Sequence, residues 1–340
     1  MLISTRNLVL FGTALILWMA LNTFITNSFG IALVLFTVVL GAIQYVKLPR
    51  LDESRVSDNI LSLFKFDNDD LKKNIIFHKG GAHHAPENTV EAIQMAADLG
   101  VRSVEIDLEF SKDGVGVVIH GPKVDDTTDG TGFVSNYTFD QLQKLNAAAK
   151  DANKSRFPSV RVPSLEDCVK ECIKQNLILF IDCKSNASET AQLVCSLFQK
   201  YPALYGNAVV CSFYPTIIYA LRQRDPTIVT AVTHRAHILT LLGDGTERNK
   251  ELWKRLASPP ADALLAWAHW AVCWYICGNC FFLCSKDSIC LDSKNFWSSL
   301  GVRLVAWTVN DPLEQNFFLR HLEVPIITDG LVQGGPVFSS

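Results

Sequence analysis

Charge is scarce in this chain. Asp, Glu, Lys and Arg make up 19% of its 340 residues, against roughly 25% in an ordinary soluble domain. The formal net charge is only −3. A disordered chain needs low hydrophobicity and strong self-repulsion, so that class is excluded. There is no basic excess either, with 31 Lys and Arg against 34 Asp and Glu, which argues against a nucleic-acid partner held by bulk attraction to phosphates. Ten cysteines over this length make no disulfide-stapled miniprotein. What is abundant is apolar surface, 49% of the residues, and it has to be placed.

Much of it stands at the N-terminus. Leu8 to Ile25 and Ile31 to Val46 carry no charge, and each approaches the run of roughly 20 apolar residues that spans a bilayer core. Asn27-Ser28-Phe29-Gly30 breaks them. Residues 1–50 therefore read as a membrane anchor, either a transmembrane helical hairpin or a single long span. A cleaved signal peptide is the alternative. The second run and the want of a small-residue cleavage site count against it. The chain is expected to be an integral membrane protein of the endomembrane system or plasma membrane. Its side is left open. Arg6, Lys47, Arg50 and Arg55 would put both ends of a hairpin in the cytosol, whereas the glycosylation triplets at Asn136, Asn153 and Asn186 favour the lumen and a glycoprotein.

Residues 51–74 are polar and read as a linker. From 75 to 335, short apolar runs alternate with amphipathic stretches such as Glu91–Leu99, Ser164–Lys174 and Glu189–Gln199. The predicted strands are Ile75–His78, Ser103–Phe110, Gly116–His120, Leu177–Cys183, Ala208–Phe213, Ile228–Thr233, Ser288–Leu291, Val302–Val309 and Pro325–Thr328. Strand–helix alternation implies parallel pairing, and about eight such units in roughly 250 residues fit an α/β fold, the TIM (β/α)8 barrel. Gly116–His120 reads as an excursion beside it. Residues 261–284, ADALLAWAHWAVCWYICGNCFFLC, are long enough to cross a membrane. Crossing there would leave the barrel's strands on opposite sides of the bilayer. The segment is therefore expected to be an apolar, membrane-associated insert near the barrel mouth. Cys273, Cys277, Cys280 and Cys284 fall on one helical face within it, to be read as packing or acylation sites rather than a metal pair.

Candidate chemistry concentrates between His78 and Gly132. In Val104-Glu105-Ile106-Asp107-Leu108-Glu109 the acids alternate, so their side chains leave one face of one strand. An exposed polar face would also give this pattern. If Val104, Ile106 and Leu108 pack against outer helices, however, the acids point inward, where carboxylates need partners or a metal. Glu105 and Asp107, with Asp182 from the strand end Leu179-Phe180-Ile181-Asp182, form an oxygen-only ligand set. Such a set suits a divalent cation, Mg²⁺ first and Ca²⁺ next, over zinc. Lys184 projects from the same face. His78-Lys79-Gly80-Gly81 follows the first strand, and His120 ends Val117-Val118-Ile119. A cation, lysines and two imidazoles suit phosphodiester cleavage, one imidazole removing a proton and the other protonating the leaving oxygen. A zinc cluster of His78, His83 and His84 is the alternative, disfavoured by the lack of a nearby cysteine.

Together, His78-Lys79-Gly80-Gly81, Pro86-Glu87-Asn88-Thr89, Glu105-Ile106-Asp107, Thr127-Thr128-Asp129-Gly130-Thr131-Gly132 and Trp307-Thr308-Val309-Asn310 resemble the glycerophosphodiester phosphodiesterase family, most closely its membrane-bound type. The similarity runs in order from about Ile75 to Asp329. It implies a metal-dependent phosphoric diester hydrolase on a TIM barrel, with His78 and His120 as the acid/base pair and Glu105, Asp107 and Asp182 as metal ligands. Lys79, Glu87, Lys184 and Trp307 would then contact substrate. The implied reaction has a glycerol hydroxyl attack phosphorus, expel an alcohol and leave a cyclic phosphate that water opens. Substrates would be glycerophosphoinositol, glycerophospho-N-acylethanolamines or lysophospholipids. Three positions depart from the family pattern: Lys79 and Asp126 where arginine is usual, and Gly121 where aspartate is usual. Lysine keeps the charge but loses the bidentate fork. These departures leave a second reading, a catalytically weak membrane scaffold that keeps the barrel.

Overall fold

A computed structural model describes residues 13, 16–19 and 29–332 of the chain. Its nine strands are β1 (Ile75–Phe77), β2 (Ser103–Phe110), β3 (Gly116–Val118), β4 (Ile178–Cys183), β5 (Ala208–Ser212), β6 (Thr230–His234), β7 (Phe281–Ser285), β8 (Arg303–Trp307) and β9 (Ile326–Thr328). All but β3 run parallel in the order β1-β9-β8-β7-β6-β5-β4-β2, and β1 pairs again with β2 to close the ring. This is the expected eight-stranded barrel. β3 lies antiparallel on β2, Leu108 opposite Val118, the expected excursion.

Alternation along each strand divides the core in two. Val104, Ile106, Leu108, Leu179 and Ile181 face outward and pack with Ile93, Ala96, Leu165 and Val169 of the helix layer. Ile178, Phe180, Val209, Cys211, Ala231, Phe281 and Leu283 fill the interior. The segment expected to be a linker departs from its polar reading here. Leu51, Val56, Ile60 and Leu63 join that interior cluster, with Ile60 and Leu63 wholly buried, and so floor the barrel at its N-terminal end. Each such burial contributes roughly 1.5–3 kcal/mol. Apolar residues three and four apart on the helix Asp58–Ser62 and just beyond it were enough to make the plug.

The 261–284 insert also differs. Its first part completes the helix Leu252–Ala268, a π-helical turn His269–Cys273 and a short helix Trp274–Cys277. Its last part is a stave of the barrel, β7, which pairs with β6 and β8. A parallel strand buried on both faces reads as a continuous apolar run, and this one follows a helix with only Gly278-Asn279-Cys280 between. Cys280 and Cys284 therefore do not share a helical face with Cys273 and Cys277. Lys286–Ser288 is a single helical turn and Leu291 begins a helix, so Ser288–Leu291 is no strand. The ten cysteines are free.

The first N-terminal apolar run lies outside the described residues except at 13 and 16–19. The second forms the helix Phe29–Val46, 18 residues or about 27 Å. Among the described residues no helix is long and apolar enough to cross a membrane. Its C-terminal end is fixed to the barrel: Gln44 Nε2 donates to the Tyr275 hydroxyl at 2.9 Å, the Tyr219 hydroxyl donates to the Val46 carbonyl at 2.8 Å, and Leu48 N donates to the Ile276 carbonyl at 2.8 Å. Of the triplet asparagines, Asn136 and Asn186 are exposed, while Asn153 is half-buried and donates to the His83 carbonyl.

Candidate active site

The C-terminal ends of β1, β2, β4 and β9 bring together most of the residues that the sequence singles out. Asp107 on β2 is in register with Asp182 on β4, and Glu105 lies two residues earlier on the same inward face. Ligand atoms of Glu105, Asp107 and Asp182 all fall within 4.8 Å of one another, and all three residues are buried. Lys184 donates to Asp107 and lies 3.3 Å from Asp182. Asn88, held at a φ of +59°, clamps Asp107 from the other side. Its side chain donates to Oδ2 at 2.9 Å and accepts from the Asp107 N–H at 3.0 Å.

These contacts leave the cluster short of positive charge. Burial and the neighbouring Asp107 push the Glu105 carboxyl up to about 8. Burial likewise raises Asp182 to about 6, against the pull of Lys184. For Asp107, burial is outweighed by Lys184, His120 and His78, which hold it well below the usual carboxylate range. The three carboxylates hold Lys184 protonated far above neutral pH despite its burial. Asp182 Oδ1 is buried without a hydrogen-bond partner. Converging carboxylate oxygens, one of them orphaned, fit a hard divalent cation.

The two histidines are shifted in opposite directions. His78 Nδ1 lies 2.7 Å from Asp329 Oδ1, and Nε2 lies 3.9 Å from Glu105 Oε2. Burial opposes charge on His78, but the Asp329 hydrogen bond and the fields of Glu105, Asp329 and Asp107 outweigh it and raise its pKa. Asp329 is correspondingly lowered to about 2, against its own burial, by the His78 bond. His120 is pushed down to about 4 by burial, while Asp107, Lys184, Lys79 and His78 all act on its ring. Both imidazoles thus address the same cluster.

The remaining predicted residues divide. Lys79 donates its backbone N–H to Glu105 at 3.0 Å, and its ammonium reaches Glu87 at 3.0 Å. Lys79 and Glu87 therefore pair with each other at the edge of the site, and Glu87 is not part of the three-carboxylate cluster. Glu109, the last acid on the strand, accepts from Ser185 and also stands apart. Trp307, ending β8, meets Phe213 edge-on with ring centroids 5.4 Å apart, and its indole N–H is buried without a partner. His83 and His84 do not join His78. His84 Nε2 accepts from Leu331 N at 3.0 Å while its ring stacks on Phe77, and the backbone N–H of His83 donates to the Asp329 carbonyl. The loop can turn this tightly because Gly81 adopts a φ of +105°, where a Cβ would stand 2.5 Å from the Phe77 ring.

Sequence reasoning missed Asp329 and overlooked how Asn88 works. Asp329 directly follows β9, the neighbour of β1 in the ring, so its position after a stave was the available signal. A surface hollow of about 350 Å³ lined by Phe64, Arg303 and Glu323 lies at the opposite, N-terminal end and holds none of these groups.

The chain matches the model of the Glycerophosphoryl diester phosphodiesterase family over residues 78–332. Glycerophosphodiester phosphodiesterase 1 from Mus musculus and from Homo sapiens are each 42% identical to it over 258 residues, 76% of this chain and 78% of theirs. Among solved structures, an Oleispira antarctica phosphodiesterase in complex with the product sn-glycerol-3-phosphate superposes with a TM-score of 0.59 at 18% identity, covering 78% of this chain and 94% of that one. A glycerophosphodiester phosphodiesterase from Agrobacterium tumefaciens gives 0.56 at 18%, covering 78% and 98%. At these identities the structural likeness shows the fold.

Proposed function

Since the chain belongs to the glycerophosphoryl diester phosphodiesterase family, we propose that it hydrolyses glycerophosphodiesters with the help of a divalent cation, Mg²⁺ first and Ca²⁺ next. One observation carries this reading: three buried carboxylates converge within 4.8 Å beside two imidazoles whose proton affinities are shifted in opposite directions. Glu105, Asp107 and Asp182 would hold the cation. When bound, it offsets their charge and polarises the phosphoryl oxygens.

His120 is neutral at pH 7 and takes the proton of the glycerol hydroxyl as its oxygen attacks phosphorus. His78, oriented by Asp329, which favours its protonated form, gives its proton to the leaving oxygen as that P–O bond breaks. In the second half the roles reverse. Neutral His78 removes a proton from water, the water oxygen bonds to phosphorus, and the P–O bond made in the first half breaks as charged His120 returns its proton to that glycerol oxygen. Lys184 keeps Asp107 and Asp182 ionised and adds positive charge beside the phosphate. Trp307 offers an apolar wall to the glycerol or its substituent.

The substrate is read as a small glycerophosphodiester, such as glycerophosphoinositol, or a lysolipid carrying the same diester. The chain itself is read as attached to a membrane of the endomembrane system or the cell surface. The exposed side chains Leu33, Val34, Leu35, Val38 and Val39 of the helix Phe29–Val46 support this, and protease protection of intact vesicles identifies the barrel's side. The reaction is tested by hydrolysis with Mg²⁺ and with chelator, in the wild type and in Glu105→Ala and His78→Ala. Activity is expected to disappear with chelator and in both variants. Chelator-insensitive turnover, or full activity in either variant, overturns the proposal.

A further inference from the structure

The helix Leu252–Ala268 stands beyond the rim that carries the site. His269, just after it, meets His234 at the C-terminal end of β6, ring nitrogens 3.3 Å apart. From there the helical path continues through His269–Cys273 and Trp274–Cys277 down to the start of β7. That stretch already runs the length of the barrel, because His234 is in register with Cys284 and Ala231 with Phe281. The 17 residues before it, about 25 Å of helix, therefore project past the C-terminal rim. The loop 235–251 goes with them, pinned by Asp262, which accepts from the backbone N–H groups of Leu239 and Thr240.

The outer end of this projection is apolar, with basic side chains in slight excess over acids. Leu252, Trp253 and Leu256 are 69%, 68% and 70% exposed. Over 244–256, Arg248, Lys250, Lys254 and Arg255 stand against Asp244, Glu247 and Glu251, and Lys254 pairs with Glu251 at 2.9 Å and Arg255 with Glu247 at 3.0 Å. The Lys254 ammonium lies 5.5 Å from the Trp253 ring centroid. Exposed aliphatic side chains and a tryptophan flanked by lysines on one helix end are what a lipid headgroup layer accepts. The other end of the same helix touches the N-terminal apolar run, Trp267 Nε1 donating to Thr13 Oγ1 at 3.2 Å. The patch and the contact with the segment read as the membrane attachment thus lie on the same helix, at its two ends.

We propose that the helix Leu252–Ala268 docks its outer end into the bilayer surface and turns the catalytic rim towards it. Phosphodiesters whose acyl chain stays in the membrane then reach the carboxylate cluster without desorbing. This inference rests on the phosphodiesterase and membrane readings above and adds the face and the substrate class.

The test uses the full chain in phosphatidylcholine–phosphatidylserine vesicles, comparing the wild type with the triple variant Leu252→Glu, Trp253→Glu, Leu256→Glu. Hydrolysis of lysophosphatidylinositol held in the vesicles is expected to fall tenfold or more, while that of soluble glycerophosphoinositol stays within twofold. Equal losses on both substrates, or no loss on either, overturn the proposal. A second readout is independent of turnover. Brominated acyl chains should quench fluorescence that is present in the wild type and missing in Trp253→Phe. Absence of that quenched component also overturns the proposal and leaves the face to a protein partner. If the wild type cleaves neither substrate with a divalent cation present, the phosphodiesterase reading fails, and the quenching alone decides the docking.

Discussion

His78 and Asp329 meet across the seam where β1 pairs with β9, Nδ1 to Oδ1 at 2.7 Å. The contact orients the imidazole and holds its charge. In Asp329→Asn the hydrogen bond survives in geometry but the negative field is gone, so the pKa of His78 drops. Less of the acid form remains at neutral pH. The alkaline limb of the kcat/KM profile should move to lower pH, with activity at pH 7.5 falling about 10–100-fold, the usual range for losing an orienting partner. An unmoved alkaline limb would mean that Asp329 is only structural.

Much of this centre can be read from the chain because the strand period writes it down. Glu105 and Asp107 alternate with Val104, Ile106 and Leu108, and the structure sends the two sets to opposite faces. Asp329 is different: a single acid after a short strand, 251 positions from its partner, acquires meaning only when the ring closes. β7 was hidden for another reason. Phe281–Ser285 is buried throughout, so it carries no alternation to distinguish it from the apolar helix before it. Polar neighbours likewise mask Ile60 and Leu63, although those two side chains help to floor the barrel.

In the metal-free protein, Glu105 and Asp182 should withdraw stability as pH rises. Glu105 titrates at about 8 in the fold and near 4.5 when unfolded. Between those values the folded state binds the extra proton, and stability falls with each increment of pH. Asp182, at about 6, adds to the same slope from pH 4 upward. In Glu105→Gln the slope should flatten between pH 5 and 8, as followed by thermal melting in chelator. Identical slopes in variant and wild type would contradict the crowding of the carboxylates.

The buried pair His234 and His269 predicts the opposite response in acid. Burial lowers them to about 3 and about 4, and their Nδ1 atoms face each other at 3.3 Å, where only one ring proton fits between them. The unfolded chain takes up protons on both below about 6.5, so this pair's contribution to stability should fall as pH drops from there towards 4. His269→Leu removes one of the two sites and should leave the melting temperature less sensitive to pH across that window. Unchanged acid sensitivity in the variant would show that other groups govern it.

Gly81→Ala and Gly114→Ala separate backbone strain from collision. Both glycines have positive φ, +105° and +77°, but a Cβ at Gly114 meets nothing within 4 Å, whereas at Gly81 it would stand 2.5 Å from the Phe77 ring. Left-handed backbone alone costs an alanine roughly 1–2 kcal/mol, so Gly114→Ala should lose about that in chemical denaturation and keep its kcat/KM. Gly81→Ala must also displace Phe77 or the loop. Phe77 immediately precedes His78 and stacks on His84, so the shift reaches the proton donor. Its stability loss should exceed that of Gly114→Ala, and kcat/KM should fall about tenfold or more, in keeping with the sensitivity of catalysis to displacements of about 1 Å. If the two variants behaved alike, the close packing of Gly81 on Phe77 would have no part in placing His78.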